Sequence, residues 1–394
     1  MNQFRPTHRP PNPTCTRPHL HPTHPPTPKN HASVALTATK PRRFGLGSGW
    51  GRVAGSGWRE VDTLAAMDLR TDSFCANPAM RTQWYVVADA GDVADAPVAV
   101  TLLGDRFVLW RAAEGSIRAA ADRCPHREAP LSEGTVAHGC LVCPYHAWAF
   151  DALGMCVDVP SSGPGAAIPS AADLALLEVR EHYGLVWLCP GTPAGEPPEI
   201  PQDADPSFRR VTSGIETWQV SATRMVDNFC DVAHFPYVHA GTIGPDTDPV
   251  VFPIEVEALD AEFVGYRYTV DVHDEHGVDV RQRMSTAFHL PFVVRSNTFY
   301  ESGQRAGHDR VLLLCATPID DVTSLFTFVS WRNHDHELSV EEFLAFDRAI
   351  GAEDKVMLER IGGVLPFDRS ATVSVRSDRL SVEWRRRFGA LLAP

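Results

Sequence analysis

The sequence predicts a small all-β domain followed by a larger α+β domain. Three features of the chain carry that expectation. Between Trp84 and Leu188 the runs WYVVA, VAVTLLG, RFVLWR and YGLVWLC are short and rich in Val, Leu and aromatics. Each is bounded by Gly, Asp or Pro, as strands are. The stretch CPGTPAGEPPEIPQDADPSF is Pro-rich and acidic and reads as a linker. Beyond it, strand-like runs over 250–332 lie between two helical stretches, one at about 217–235 and one starting near 340. Ser339 and Glu342 form a capping box ahead of the second. The expected organisation is therefore an extension over 1–66, the all-β domain over 80–190, a linker over 191–209 and the α+β domain over 210–390.

The extension stands apart in composition. Residues 1–66 hold nine basic and two acidic residues and ten of the 32 prolines, with no hydrophobic period. That composition predicts disorder. So many prolines prevent the amphipathic helix of a transit peptide, and Met67 opens a domain of ordinary composition. Gly49-Trp50-Gly51-Arg52-Val53-Ala54 matches a nucleotide-binding fingerprint but has no strand before it, so it is rejected. A nicotinamide cofactor must then act through another chain.

The whole chain has 394 residues and a formal net charge of -13, which argues against nucleic acid or an anionic membrane as the main partner. No apolar run is long enough to span a bilayer. Nine cysteines, odd in number and unevenly spaced, fit a reducing compartment, the cytoplasm, with some thiols kept for metal.

Two constellations carry chemistry. Cys124-Pro125-His126-Arg127 is followed by Cys143-Pro144-Tyr145-His146. Each pair presents one thiolate and one imidazole from a tight loop. Two of each are what a Rieske [2Fe–2S] centre needs, with Cys on one iron and His on the other. Zinc takes the same donor set, but zinc fingers pair Cys with Cys and His with His. Cys140 and Cys156 lie nearby and read as small buried hydrophobes.

The second constellation is Asp227-Asn228-Phe229-Cys230-Asp231-Val232-Ala233-His234, ending at His239. On a helix Asp231 and His234 share a face, so the carboxylate can fix the imidazole tautomer. His234 and His239 fall on different faces of an ideal helix, and Pro236 is expected to break the helix and let His239 swing back. Two imidazoles and a carboxylate with open positions make the facial triad of non-haem Fe(II) oxygen chemistry. For the carboxylate, Asp354 lies on the apolar stripe of the later helix, with Leu358 and Ile361, and is preferred; Glu353, one residue earlier and facing elsewhere, is the competing third ligand. Asn333-His334-Asp335-His336 reads as a polar turn, His273-Asp274-Glu275-His276-Gly277 as a hairpin turn, and Cys230 as buried. No Ser/His/Asp elbow appears.

CPHR…CPYHAW together with D-x-x-H-x-x-x-x-H resembles the Rieske non-haem iron oxygenases over roughly residues 75–365. The single-subunit group, which includes vanillate and dicamba demethylases, is the most similar. The resemblance implies a helix-grip catalytic domain, an antiparallel sheet wrapped around a long helix. It implies a Rieske cluster on Cys124, His126, Cys143 and His146, and a mononuclear Fe(II) on His234, His239 and Asp354. A reductase or ferredoxin supplies electrons from NAD(P)H, and O2 is the co-substrate. The substrate is small and aromatic or otherwise hydrophobic, and is hydroxylated or oxidatively demethylated. The resemblance further implies a head-to-tail homotrimer in which Asp231 bridges His146 of one chain to His234 of the next. The competing readings are an electron carrier or redox sensor using the first domain alone, and a non-catalytic binder of a hydrophobic ligand.

Overall fold

A computed structural model describes residues 73–243, 248–273, 279–366 and 372–393. The 1–66 extension, its glycine fingerprint and the turn at 274–277 lie outside the described residues.

The first half is all β. Strands β1 (Tyr85–Asp89), β2 (Val98–Leu102), β3 (Asp105–Arg111), β4 (Ile117–Ala121), β5 (Thr135–Ala137), β6 (Cys140–Val142), β7 (Ala149–Phe150), β8 (Cys156–Asp158), β9 (Glu178–His182) and β10 (Leu185–Cys189) form three antiparallel sheets. Their orders are β1-β10-β9, β2-β3-β4 and β5-β6-β7-β8. The last sheet and β3–β4 enclose a small core of Trp110, Leu131, Leu141 and Phe150 that also takes in Cys124 and Cys143.

The second half is an antiparallel sheet with helices. It holds β11 (Arg209–Thr212), β12 (Glu216–Trp218), β13 (Glu257–Ala258), β14 (Val264–His273), β15 (Asp279–His289), β16 (Val293–Tyr300), β17 (Asp309–Pro318) and β18 (Ser324–Arg332). The order is β11-β18-β17-β16-β15-β14-β13, with β12 also on β18. Alternation along these strands gives the sheet two apolar faces. One face, with Phe263, Val311, Leu313 and Trp331, packs against Trp84, Leu185 and Trp187 of the all-β half. The other packs against α1 (Ala222–Phe229), α3 (Val340–Ile361) and α4 (Arg379–Leu392). The segment over 191–209 is part of this packing. Ile200 is buried in the interdomain core, and its N–H donates to the Tyr183 hydroxyl at 2.7 Å.

The helix expected at 217–235 is shorter than its sequence pattern. Glu216–Trp218 pairs with β18, and α1 starts after Ser221 and ends at Phe229. The reason for the early end is Asp231. Its carboxylate accepts the backbone N–H groups of Ala233 and His234, both at 3.1 Å, so a side chain competes with the helix for backbone donors. The chain resumes as the short α2 (Phe235–Val238), with Pro236 in its first turn. There proline is tolerated because no N–H is missed. Pro236 thus helps start a helix, not break one.

Helix α3 begins as expected. The Ser339 hydroxyl accepts the Glu342 N–H, and the Glu342 carboxylate accepts the Ser339 N–H at 3.0 Å. Its buried stripe of Phe343, Leu344, Asp347, Asp354 and Leu358 faces the protein interior. Asp347 accepts from Arg310 and Arg332 of the sheet, and Arg332 lies over the Phe343 ring at 3.9 Å. The helix is thereby locked against the sheet in one axial register, which sets where Asp354 stands.

Candidate metal centres

The Cys/His pairs sit on two loops with the same construction. In the first, the Cys124 N–H donates to Ala129 O at 2.9 Å and the Glu128 N–H to Cys124 O at 2.8 Å. In the second, the Cys143 N–H donates to Trp148 O at 2.8 Å and the Ala147 N–H to Cys143 O at 3.1 Å. Glu128 and Ala147, each four residues after its cysteine, both have positive φ, at 60° and 56°. The left-handed residue folds each loop back so that Cys and His point the same way. Both cysteines are buried, while His126 is exposed and His146 half-buried. The imidazoles are 4.6 Å apart by ring centroid, His126 stacks on Trp148 at 4.5 Å, and Tyr145 covers His146. Burial and the neighbouring Cys143 thiol push Cys124 up to about 11, so a bound cation is what would draw off its proton.

The second centre is more tightly drawn. His234 Nε2 and His239 Nε2 are 3.1 Å apart. Asp354 Oδ1 is 3.4 Å from the first and 3.3 Å from the second. His234 Nδ1 meets Asp231 Oδ2 at 2.8 Å, and His239 Nδ1 meets Glu353 Oε2 at 3.0 Å. A carboxylate only accepts, so each Nδ1 carries the proton and each Nε2 carries a lone pair. Three acceptor atoms therefore converge, and Asp354 Oδ1 is buried with no hydrogen-bond donor. That arrangement is repulsive unless a metal ion, or in its absence a proton on His234, fills it. Donor atoms about 2.1 Å from one metal and at right angles to each other lie about 3 Å apart, so the residues fit a metal ion. Burial depresses His234, but Asp231 and Asp354 override it and, without a cation, bring it up to about 9.

Among the described residues only His234, His239 and Asp354 bring three such donors within 4.8 Å of one another. The Cys/His four are spread more widely, which suits a two-iron cluster better than one tetrahedral zinc.

Of the two carboxylates in sequence on α3, Asp354 reaches both Nε2 atoms. Glu353 turns to the far side of His239 and also accepts from the Thr242 hydroxyl at 2.7 Å. The sequence pattern showed only that Glu353 leaves the apolar stripe, not that it holds His239; Thr242 gave no signal. Gly241 leaves room for this carboxylate, since a methyl there would stand 2.6 Å from Glu353 Oε1. Asp231 borders a cavity of about 250 Å³ lined by Arg224, Asp227, Asn228 and Arg385. The Asn228 amide nitrogen is buried without a partner. Cys230 is buried. The 333–336 segment is a turn after β18, with Asp335 at φ 54° and His334 buried beside it. No helix among the described residues is long and apolar enough to cross a membrane.

Comparison with known proteins bears on both halves. Residues 83–176 match the Rieske [2Fe-2S] domain, and residues 218–394 match the vanillate O-demethylase oxygenase C-terminal domain. Methylxanthine N1-demethylase of Pseudomonas putida is 29% identical over 322 residues, which is 78% of this chain and 88% of that protein. The dicamba O-demethylase oxygenase component of Stenotrophomonas maltophilia is 37% identical over 190 residues, 46% of this chain and 55% of that one. The Pseudomonas putida N1-demethylase solved with caffeine superposes with a TM-score of 0.70 at 26% identity, covering 80% of this chain and 91% of that one. Dicamba monooxygenase bound to dicamba gives 0.67 at 25% identity, covering 80% and 98%.

Proposed function

Since this chain belongs to the Rieske oxygenases, with a Rieske [2Fe-2S] domain ahead of a vanillate O-demethylase-type oxygenase domain, we propose a specific division of labour among its residues. The enzyme is a terminal oxygenase. It takes electrons from a reductase or ferredoxin and inserts oxygen from O2 into an organic substrate. When bound, the cluster supplies electrons singly and the lone ferrous ion supplies the open positions at which O2 is activated.

In our reading Cys124 and Cys143 would hold one iron of the cluster, and His126 and His146 the other. His234, His239 and Asp354 hold the mononuclear ion. The observation that carries this is the convergence of three acceptor atoms on one buried point with no donor among them. Asp231 and Glu353 each pin one imidazole through Nδ1, so both ligands are held in the metal-binding tautomer before the ion arrives.

Asp231 has a second task in this reading. We assign it the bridge to His146 of a neighbouring copy in a homotrimer. Its half-buried carboxylate bordering an open cavity supports that, as do two exposed aromatics, Tyr145 beside His146 and Tyr237 between the metal histidines. We place the enzyme in the cytoplasm, which suits the buried free thiols that Cys75, Cys156, Cys189, Cys230 and Cys315 present among the described residues. The substrate we infer is an aromatic compound bearing an N- or O-methyl group, lost as formaldehyde after hydroxylation. The named relatives act on methylxanthines and dicamba, and the sheet face beside the triad is aromatic. An electron carrier would leave the triad without a task.

The test is anaerobic reconstitution with iron and sulfide, addition of a surrogate reductase, and a screen of methoxy- and N-methyl-aromatics. Product formed in step with O2 consumption supports the reading. O2 consumption that never couples to any product would remove it.

A further inference from the structure

The helix-covered face of the large sheet is not uniform. Cross-strand pairing lines up Val264, Phe288, Val294, Leu314 and Phe328 as one apolar row. Two residues along, the same pairing lines up Tyr266, Thr286 and Ser296 on β14, β15 and β16. Three hydroxyl-bearing residues on neighbouring strands thus stand side by side, with Cβ atoms about 5 Å apart. Tyr266 shares a core with Met225, Val226 and Cys230, the helix end and turn that lead to His234.

Tyr266 is the unusual member. It is fully buried, and its hydroxyl lies near Thr286 yet makes no hydrogen bond of good geometry. It is within electrostatic reach of Cys230 and Asp231. Phe252 stacks on Tyr268 at 4.5 Å, and both rings stand within 6.0 Å of Tyr266. A buried hydroxyl without a partner costs stability that Phe would not lose. Ser296 and Leu312, which faces it on β17, are only half-buried, so this wall borders open space.

We propose that Tyr266, backed by Thr286 and Ser296, is a specificity-determining group that hydrogen-bonds an oxygen or nitrogen heteroatom of the substrate. Phe252 and Tyr268 form the flat wall against which the arene lies. The substrate is then a heteroatom-bearing arene and not a hydrocarbon or sterol. The proposal rests on the oxygenase reading of the neighbouring triad.

The test uses the full, iron-loaded chain and its Tyr266→Phe variant. Anaerobic calorimetric titration compares vanillate and caffeine with naphthalene and 4-isopropyltoluene. At least one heteroatom-bearing probe is expected to bind tenfold or more tightly than the hydrocarbons. Tyr266→Phe is expected to remove at least tenfold of that preference and leave hydrocarbon binding unchanged. Iron content should be unchanged, and the ligand-free melting temperature equal or higher, because the variant deletes an unpaired buried hydroxyl. Lack of a preference in the wild type, whether all probes bind or none does, overturns the proposal. So does a preference that survives in Tyr266→Phe. Failure of the oxygenase reading is distinct, because it appears as uncoupled O2 consumption with these binding preferences intact.

Discussion

The two candidate metal centres are built on opposite plans. The Cys/His centre is local and doubled, made from two loops of the same hydrogen-bonded shape nineteen residues apart, with the His126 imidazole exposed and that of His146 half-buried. The His/His/Asp centre is long-range and buried, made from one turn and one helix about 115 residues further on, with each imidazole backed by a carboxylate. Each plan suits its chemistry. Electrons must enter from another protein, so the cluster needs an exposed edge. Oxygen activation must be kept from water, so the lone ion needs a closed site whose ligands cannot wander.

That contrast is broken most directly by Asp354→Ala. The variant is expected to lower iron from about three to about two per chain and abolish turnover, while the reduced cluster keeps its Rieske EPR signal. Cys143→Ala should do the reverse to the EPR signal. If either change removed both metals, the centres would not be independent. Next in size is Asp231→Ala, which should still fill to about three irons at saturating Fe(II), with the weaker affinity of an unbacked His234, yet lose at least 100-fold in turnover. Normal activity there would refute the bridging role. Glu353→Ala sharpens the contrast further, because it removes a group that holds a ligand without touching the ion. Iron affinity should fall about 10- to 100-fold, measured by chelator competition, with the cluster unaffected.

A pH experiment probes the same carboxylate backing. Burial opposes the charge on His234, but Asp231 and Asp354 raise its folded value to about 9, above the unfolded value of about 6.5. A raised value in the folded state stabilises the iron-free protein fully below pH 6.5. That contribution is lost as pH climbs through about 9. The melting temperature of iron-free protein should therefore fall across this range, and bound Fe(II), which replaces the proton, should flatten the fall. A flat profile without iron would show that the carboxylates do not hold the imidazole. Smallest of all, Ser339→Ala should cost about 1 kcal/mol in chemical denaturation through the lost cap and leave both metals in place.

The same contrast decides what could be read from the sequence. Cys124, His126, Cys143, His146, His234 and His239 lie in short motifs whose spacing already speaks of metal. Asp354 emerged from the apolar stripe of a long helix whose capping box marked its start. Three things stayed hidden. The left-handed residues that shape the cluster loops are Glu128 and Ala147, neither of which announces positive φ. The early end of α1 comes from Asp231 competing for backbone donors, which propensity does not show. The roles of Glu353 and of the Tyr266 row depend on ring orientation and strand register, which exist only once the sheet and α3 have packed.

The central claim is that electrons stored in the exposed centre are spent at the buried one. A single turnover of reduced, substrate-loaded enzyme mixed with O2, quenched by freezing and read by EPR and product analysis, tests it. The account predicts that the Rieske signal disappears in step with product, and persists in the Asp354→Ala variant. Product formed while the cluster stays reduced, or a cluster that oxidises equally fast without the mononuclear iron, would contradict it.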